Sequence, residues 1–127
     1  MALDSQTPPL ISIIDDDNSV LVATELLVSS FGFRTSTFSS ADDFLNSARL
    51  DHTACLISDV HMPGTSGLEL QRILRARGRD IPMVFMTAFS NESIKTRAIA
   101  GGAVCFLIKP FDSRTLLDCL KAALNRC

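Results

Sequence analysis

A chain of 127 residues sits near the commonest single-domain size. With 46% apolar and 20% charged residues, it has the composition of a self-folding globular domain and not of a disordered or fibrous chain. The formal net charge is −2, with twelve basic and fourteen acidic residues spread along the chain, so no basic stripe is expected to neutralise a nucleic-acid backbone. Residues 1–9 are expected to form a disordered tail ahead of one domain over residues 10–127, and no apolar run reaches membrane-spanning length. The first nine residues carry Asp4 and no Lys or Arg, so no targeting segment is read there and the expected compartment is the cytoplasm. Cys55, Cys105, Cys119 and Cys127 are irregularly spaced, matching neither a C-x-x-C site nor a secreted disulfide framework, and are expected as thiols of a reducing compartment.

Short apolar runs alternate with segments of helical period, the signature of βαβ units around a parallel sheet. The first strand, Leu10 to Ile14, stops at a cluster of acids. Asp17 or Asn18 then caps a helix expected to bury Val20, Ala23, Leu27 and Phe31, with Gly32 ending it. A second, weaker strand spans Phe33 to Phe38, and Ser40 with Asp43 resembles a capping box for a short helix carrying Phe44 and Leu45. His52 reads as a loop residue. The third strand, Ala54 to Ser58, is nearly continuous in apolar character, as a strand covered on both faces requires, and Asp59 sits at its carboxyl end.

After the loop of His61 to Thr65, Ser66 and Glu69 form an S-x-x-E capping box, and Leu70, Ile73 and Leu74 supply a buried stripe that Gly78 closes. Pro82 to Met86 is a fourth strand ending at Thr87, and Asn91 to Ala100 a fourth helix. Ala103 to Ile108 is a fifth strand ending at Lys109, and Asp112 caps a last helix through Leu116, Leu117, Leu120 and Leu124. The expected fold is α/β, a doubly wound five-stranded parallel sheet. Such sheets bind ligands outside the carboxyl ends of their strands, where the strand order reverses.

Asp15, Asp16, Asp17, Asp59, Thr87 and Lys109 all stand at such ends and are expected to converge on one rim. Clustered carboxylates repel, so the site is expected to hold a cation or a proton, of which a cation fits better. Mg²⁺ takes oxygen ligands from one or two carboxylates plus a phosphate. Lys109 adds a compact positive charge and Thr87 a hydroxyl for a phosphoryl oxygen. Taken singly, each residue has a plainer reading: acids after a strand cap helices, a threonine closes a turn, and a lysine is a solvated charge. The combination favours a site.

The segments IIDDD, SDVHMPGTSG, MTA and FLIKPF, in that order, resemble the four signatures of response-regulator receivers, and the resemblance spans the chain after residue 9. It implies the (βα)5 flavodoxin-like receiver fold, with Asp59 as phosphoacceptor. It further implies that Asp15, Asp16, Asp59 and the backbone carbonyl of His61 hold Mg²⁺, and that Thr87, Lys109 and Phe106 form the phosphoryl-stabilising and switch set. Pro110 matches a position where the preceding bond is usually cis. The implied partner is a histidine kinase or phosphotransfer protein. The implied response is a changed surface of helix four, strand five and helix five, expected to act on an output domain or partner and to support a homodimer. Such a chain would catalyse only its own phosphorylation and dephosphorylation. Phe89, bulky at a position the family varies, is expected to slow water entry. The stretch Phe38 to Leu45 resembles the FixJ-type group.

Two rivals account for less. A haloacid-dehalogenase-like phosphohydrolase would use the D-x-D pattern within Asp15 to Asp17 but needs a later acidic pair where this chain offers only Asp112. A flavodoxin-like carrier would need a glycine- and hydroxyl-rich first loop, and three carboxylates there would repel the flavin phosphate.

Overall fold

The computed structural model describes residues 7–89 and 91–125. Five parallel strands, β1 (Leu10–Ile14), β2 (Arg34–Phe38), β3 (Cys55–Asp59), β4 (Met83–Thr87) and β5 (Cys105–Ile108), form one sheet in the order β2-β1-β3-β4-β5. They alternate with the helices α1 (Asn18–Ser30), α2 (Ala41–Leu45), α3 (Gly67–Ala76), α4 (Glu92–Ala100) and α5 (Ser113–Leu124). This is the doubly wound parallel arrangement that the alternating pattern predicts.

Every residue of β1 and β4 is buried, because helices cover both faces of the sheet. Ile11, Ile13, Ile57, Val84 and Met86 pack under α1 and α5 with Leu21, Val28, Leu116 and Leu120. On the other face Ile14, Leu56 and Phe85 meet Phe44, Leu70, Leu74 and Ala98 from α2, α3 and α4. No helix among the described residues is long and apolar enough to cross a membrane.

The caps form where the side chains can make them. Asp17, and not Asn18, caps α1 by accepting from the amides of Ser19 and Val20, and Ser66 and Glu69 make a reciprocal capping box on α3. Ser40 accepts from the Asp43 amide at 3.1 Å. The buried line of α1 is Leu21, Thr24 and Val28; Ala23 is exposed, and Val20, Leu27 and Phe31 are half-buried. The expected stripe is therefore rotated by about one position. Apolar residues occupy nearly every side of this helix, so its period does not fix the inward face. In α3, Gln71 is buried beside Leu70 and Leu74, while Ile73 is half-buried. His52 ends a 3-10 turn over Ala48–His52 capped by Ser47.

Cys105 and Cys119 are joined by a disulfide, with Cα atoms 6.0 Å apart, which corrects the expectation of thiols for this pair. A sequence separation of 14 hides the pairing, and it becomes visible only once α5 folds back on β5. Cys55 is buried in the core, and Cys127 lies outside the described residues. Of the tail expected over residues 1–9, only residues 7–9 are described. The Pro8 carbonyl accepts from Arg34 Nε at 2.8 Å and the Pro9 carbonyl from the Arg34 amide at 3.1 Å, which anchors the chain to the sheet edge from Pro8 onward.

Three hydroxyls lie beneath that edge. Ser12 Oγ is 2.8 Å from Ser36 Oγ and 2.6 Å from Thr53 Oγ1, and Thr53 passes its proton to the Arg49 carbonyl at 2.8 Å. The chain of bonds satisfies polar groups that would otherwise be costly to bury.

Candidate functional site

The carboxyl ends of β1, β3, β4 and β5 meet on one rim, and β1 and β3 are the neighbours at which the strand order reverses. Asp15 leaves β1 fully buried, held by its own amide donating to the Phe38 carbonyl at 3.2 Å. Its Oδ1 accepts from the Asp17 amide at 2.9 Å, a contact that sequence spacing does not reveal. Asp59 ends β3 with its side chain 13% exposed, enough for a small reactant to reach it. Its Oδ1 accepts from the His61 amide at 3.4 Å.

Lys109 reaches across from the end of β5. Its Nζ lies 3.2 Å from Asp15 Oδ2 and 3.4 Å from Asp59 Oδ2, so one ammonium bridges two carboxylates. Burial pushes the Asp15 carboxyl above its ordinary range; the Asp17 amide and Lys109 oppose that shift, and the Asp59 charge adds to it. Carboxylate oxygens of Asp15, Asp16 and Asp59 all lie within 4.8 Å of one another. An all-oxygen donor set of this compactness fits a hard divalent cation such as Mg²⁺.

Thr87, 1% exposed, ends β4, where its backbone oxygen accepts from the Lys109 amide at 2.7 Å and its Oγ1 accepts from the Phe89 amide at 3.1 Å. The hydroxyl proton remains available for another acceptor. Phe89 is 67% exposed and stacks edge-on against the His61 ring, with centroids 5.9 Å apart beside the acidic mouth. The Lys109–Pro110 bond is cis. Phe106 is half-buried against the core on the α3 and α4 side, so it stands apart from the carboxylates but next to the helices that follow β3 and β4.

The loop after Asp59 is fastened by contacts that single-residue reading passes over. Ser58 Oγ donates to the Asp59 carbonyl at 2.9 Å, Thr65 Oγ1 donates to Asp42 at 3.1 Å, and the Gly67 amide donates to the Val60 carbonyl at 2.9 Å. The only signal for them is the segment Asp59 to Gly67 taken whole.

A sheet of this order with three acids, a lysine and a threonine on one rim defines a receiver-type α/β domain. Residues 11–121 match the family model described as "Response regulator receiver domain", and the chain belongs to that family. It is 43% identical over 121 residues to the response regulator protein TodT of Pseudomonas putida, covering 95% of this chain and 53% of TodT. Among solved structures, the response regulator StyR is 41% identical with a TM-score of 0.85, over 93% of this chain and 60% of that one. FixJ-N is 27% identical with a TM-score of 0.86, over 96% and 98%. The chain spans about half the length of the curated relatives it matches.

Proposed function

We propose that the chain receives a phosphoryl group on Asp59 from a histidine kinase or phosphotransfer protein in the cytoplasm, in a Mg²⁺-dependent reaction, and passes the event to an output domain or partner. The observation that carries this reading is the Lys109 ammonium held between the Asp15 and Asp59 carboxylates, with Asp16 close enough to complete an oxygen-lined cation site.

Asp59 is the nucleophile: a carboxylate oxygen attacks phosphorus in line, the phosphorus–nitrogen bond of the donor's phosphohistidine breaks, and the electron pair leaves with the imidazole. Lys109, already 3.4 Å from Asp59, stabilises negative charge on the equatorial phosphoryl oxygens. Thr87 turns its hydroxyl proton onto one of them. Asp15, Asp16, Asp59 and the His61 carbonyl would hold Mg²⁺, which supplies charge neutralisation for the crowded carboxylates and the phosphoryl oxygens. The chain thus catalyses only its own phosphorylation and dephosphorylation. Inward movement of Thr87 leaves room for Phe106 to rotate, and the face made by α4, β5 and α5 changes shape and supports a homodimer.

The test is labelling by acetyl phosphate with Mg²⁺, read by intact-mass spectrometry. Wild type gains one phosphoryl group and Asp59→Asn gains none; equal labelling of the two proteins removes Asp59 from the reaction.

A further inference from the structure

Basic residues that are scattered in sequence gather in space on the face opposite the disulfide. α3 and α4 are joined by buried Gln71, whose Nε2 donates to the Ala98 carbonyl at 3.0 Å. Gln71 lies against Gly101: a Cβ there would stand 2.5 Å from Gln71 Oε1, so only glycine leaves the amide its place. Above it lies a hollow of about 330 Å³ lined by Leu68, Ala100 and the side chains of Arg72, Arg75 and Arg97. A second hollow of about 220 Å³ shares Gln71, Arg75 and Gly101 and extends the first into a groove, which Arg79 and Asp80 join at the far end.

A cation in the last turn of a helix is ordinarily explained by the helix dipole, and Arg75 and Arg97 hold such positions. The dipole does not account for cations from two helices lining one concavity. None of the three arginines is in an ion pair among the described residues. Glu69, the one acid of α3, is turned back onto the Ser66 amide at 2.9 Å, although its charge still feels Arg72. The arginines and Gly101 of the groove lie in the later turns of α3 and α4 and just beyond. These helices run antiparallel to the strands, so the basic part of the groove is displaced from the rim that carries Asp15 and Asp59, while Leu68 marks the end nearer to it.

We infer that this groove docks an acidic segment of a protein partner, with Asp or Glu carboxylates on the guanidiniums and a small apolar side chain on Leu68 and Ala100. Arginine forks pair with carboxylates through two parallel hydrogen bonds, and arginine is enriched at protein interfaces. A duplex backbone would instead be met by cations on an open face, in a chain whose net charge was not negative. The inference does not depend on phosphorylation of Asp59.

The Gln71 side-chain amide on the groove floor is a built-in reporter. Isotope-labelled full chain is titrated with a synthetic Glu/Leu/Ala peptide at physiological ionic strength, with inorganic pyrophosphate and a random DNA duplex as parallel arms. The peptide should shift the Gln71 amide resonances. Joint charge reversal by Arg72→Glu and Arg97→Glu should weaken its binding at least about tenfold, while Arg114→Glu, whose wild-type arginine pairs with Asp118 on α5, should leave it unchanged. Arg97→Ala alone serves if the double variant does not fold. No shift at Gln71, binding indifferent to the arginine changes, or stronger binding of pyrophosphate or duplex than of peptide would each overturn the inference.

Discussion

The backbone oxygen of Asp59 occupies the space that a side chain at Gly67 would need: a Cβ on Gly67 would lie 2.5 Å from it, and 3.0 Å from the Phe85 ring. The first residue of α3 therefore sits directly against the end of β3. Backbone cannot yield as a flexible side chain can, so Gly67→Ala should cost about 1–3 kcal/mol in urea unfolding. It should also slow acetyl phosphate labelling, because any relief displaces Asp59. Unfolding midpoints equal to wild type would show that α3 can shift freely.

Asp16 is the exposed member of the acidic trio. Asp16→Asn should weaken Mg²⁺ binding by more than about tenfold while leaving the metal-free protein as stable as wild type or more so, since one of three mutually repelling charges is gone. The two effects carry opposite signs. Calorimetric titration and thermal unfolding measure them separately, and unchanged Mg²⁺ affinity would reduce the cluster to helix capping.

On the proposed function, Thr87→Ala should separate receipt of the phosphoryl group from response to it. Moving a population from mostly one packing to mostly the other requires about 5 kcal/mol of differential stabilisation, to which charge-assisted hydrogen bonds from Thr87 and Lys109 to the phosphoryl group would contribute under that proposal. The variant should still be labelled on Asp59 but should not change mass in sedimentation when beryllofluoride is added, whereas wild type should self-associate. Identical masses for wild type in both conditions would rule out the dimer and leave the narrower claim of a partner surface.

Glu69 gives a pH signature that is independent of the acidic mouth. The Ser66 amide and hydroxyl hold its carboxyl below the ordinary value of 4.5. A carboxyl whose pKa is lowered by folding adds stability that is complete above its unfolded value and is lost as pH falls through its folded one. The stability difference between wild type and Glu69→Gln should therefore be flat above about pH 4.5 and shift only below it. Denaturant titrations across that range provide the check; a difference that varies near neutral pH would implicate another group.

The strand and helix order was legible because buried strands are short apolar runs and their ends are marked by polar residues, as at Asp59 and Thr87. The rim set could be read for the same reason: parallel topology puts consecutive strand ends together, whatever the intervening length. The inward face of α1 was not legible, since Val20, Leu21, Leu27 and Val28 compete for it and the packed core decides. Cys105 with Cys119, and Arg72 with Arg97, are pairings made by tertiary folding between residues at no telling interval. The Asp17 amide on Asp15 Oδ1 is an Asx-type contact, which an aspartate permits but does not require.

The hydroxyl chain of Ser12, Ser36 and Thr53 has a consequence for alignment. β2, with the sequence RTSTF, has too few apolar side chains for hydrophobic burial to fix how far it slides along β1. Sliding by one residue would bring Thr35 or Thr37 opposite Ser12 on the same face and turn Ser36 and Phe38 to the other face of the sheet. The seryl pair and the Phe38 ring, which packs edge-on against Phe44, together favour one alignment of the edge strand. Phe38, two residues beyond Ser36, supplies the carbonyl that receives the Asp15 amide, so the alignment of an edge strand bears on where the first carboxylate of the rim comes to rest.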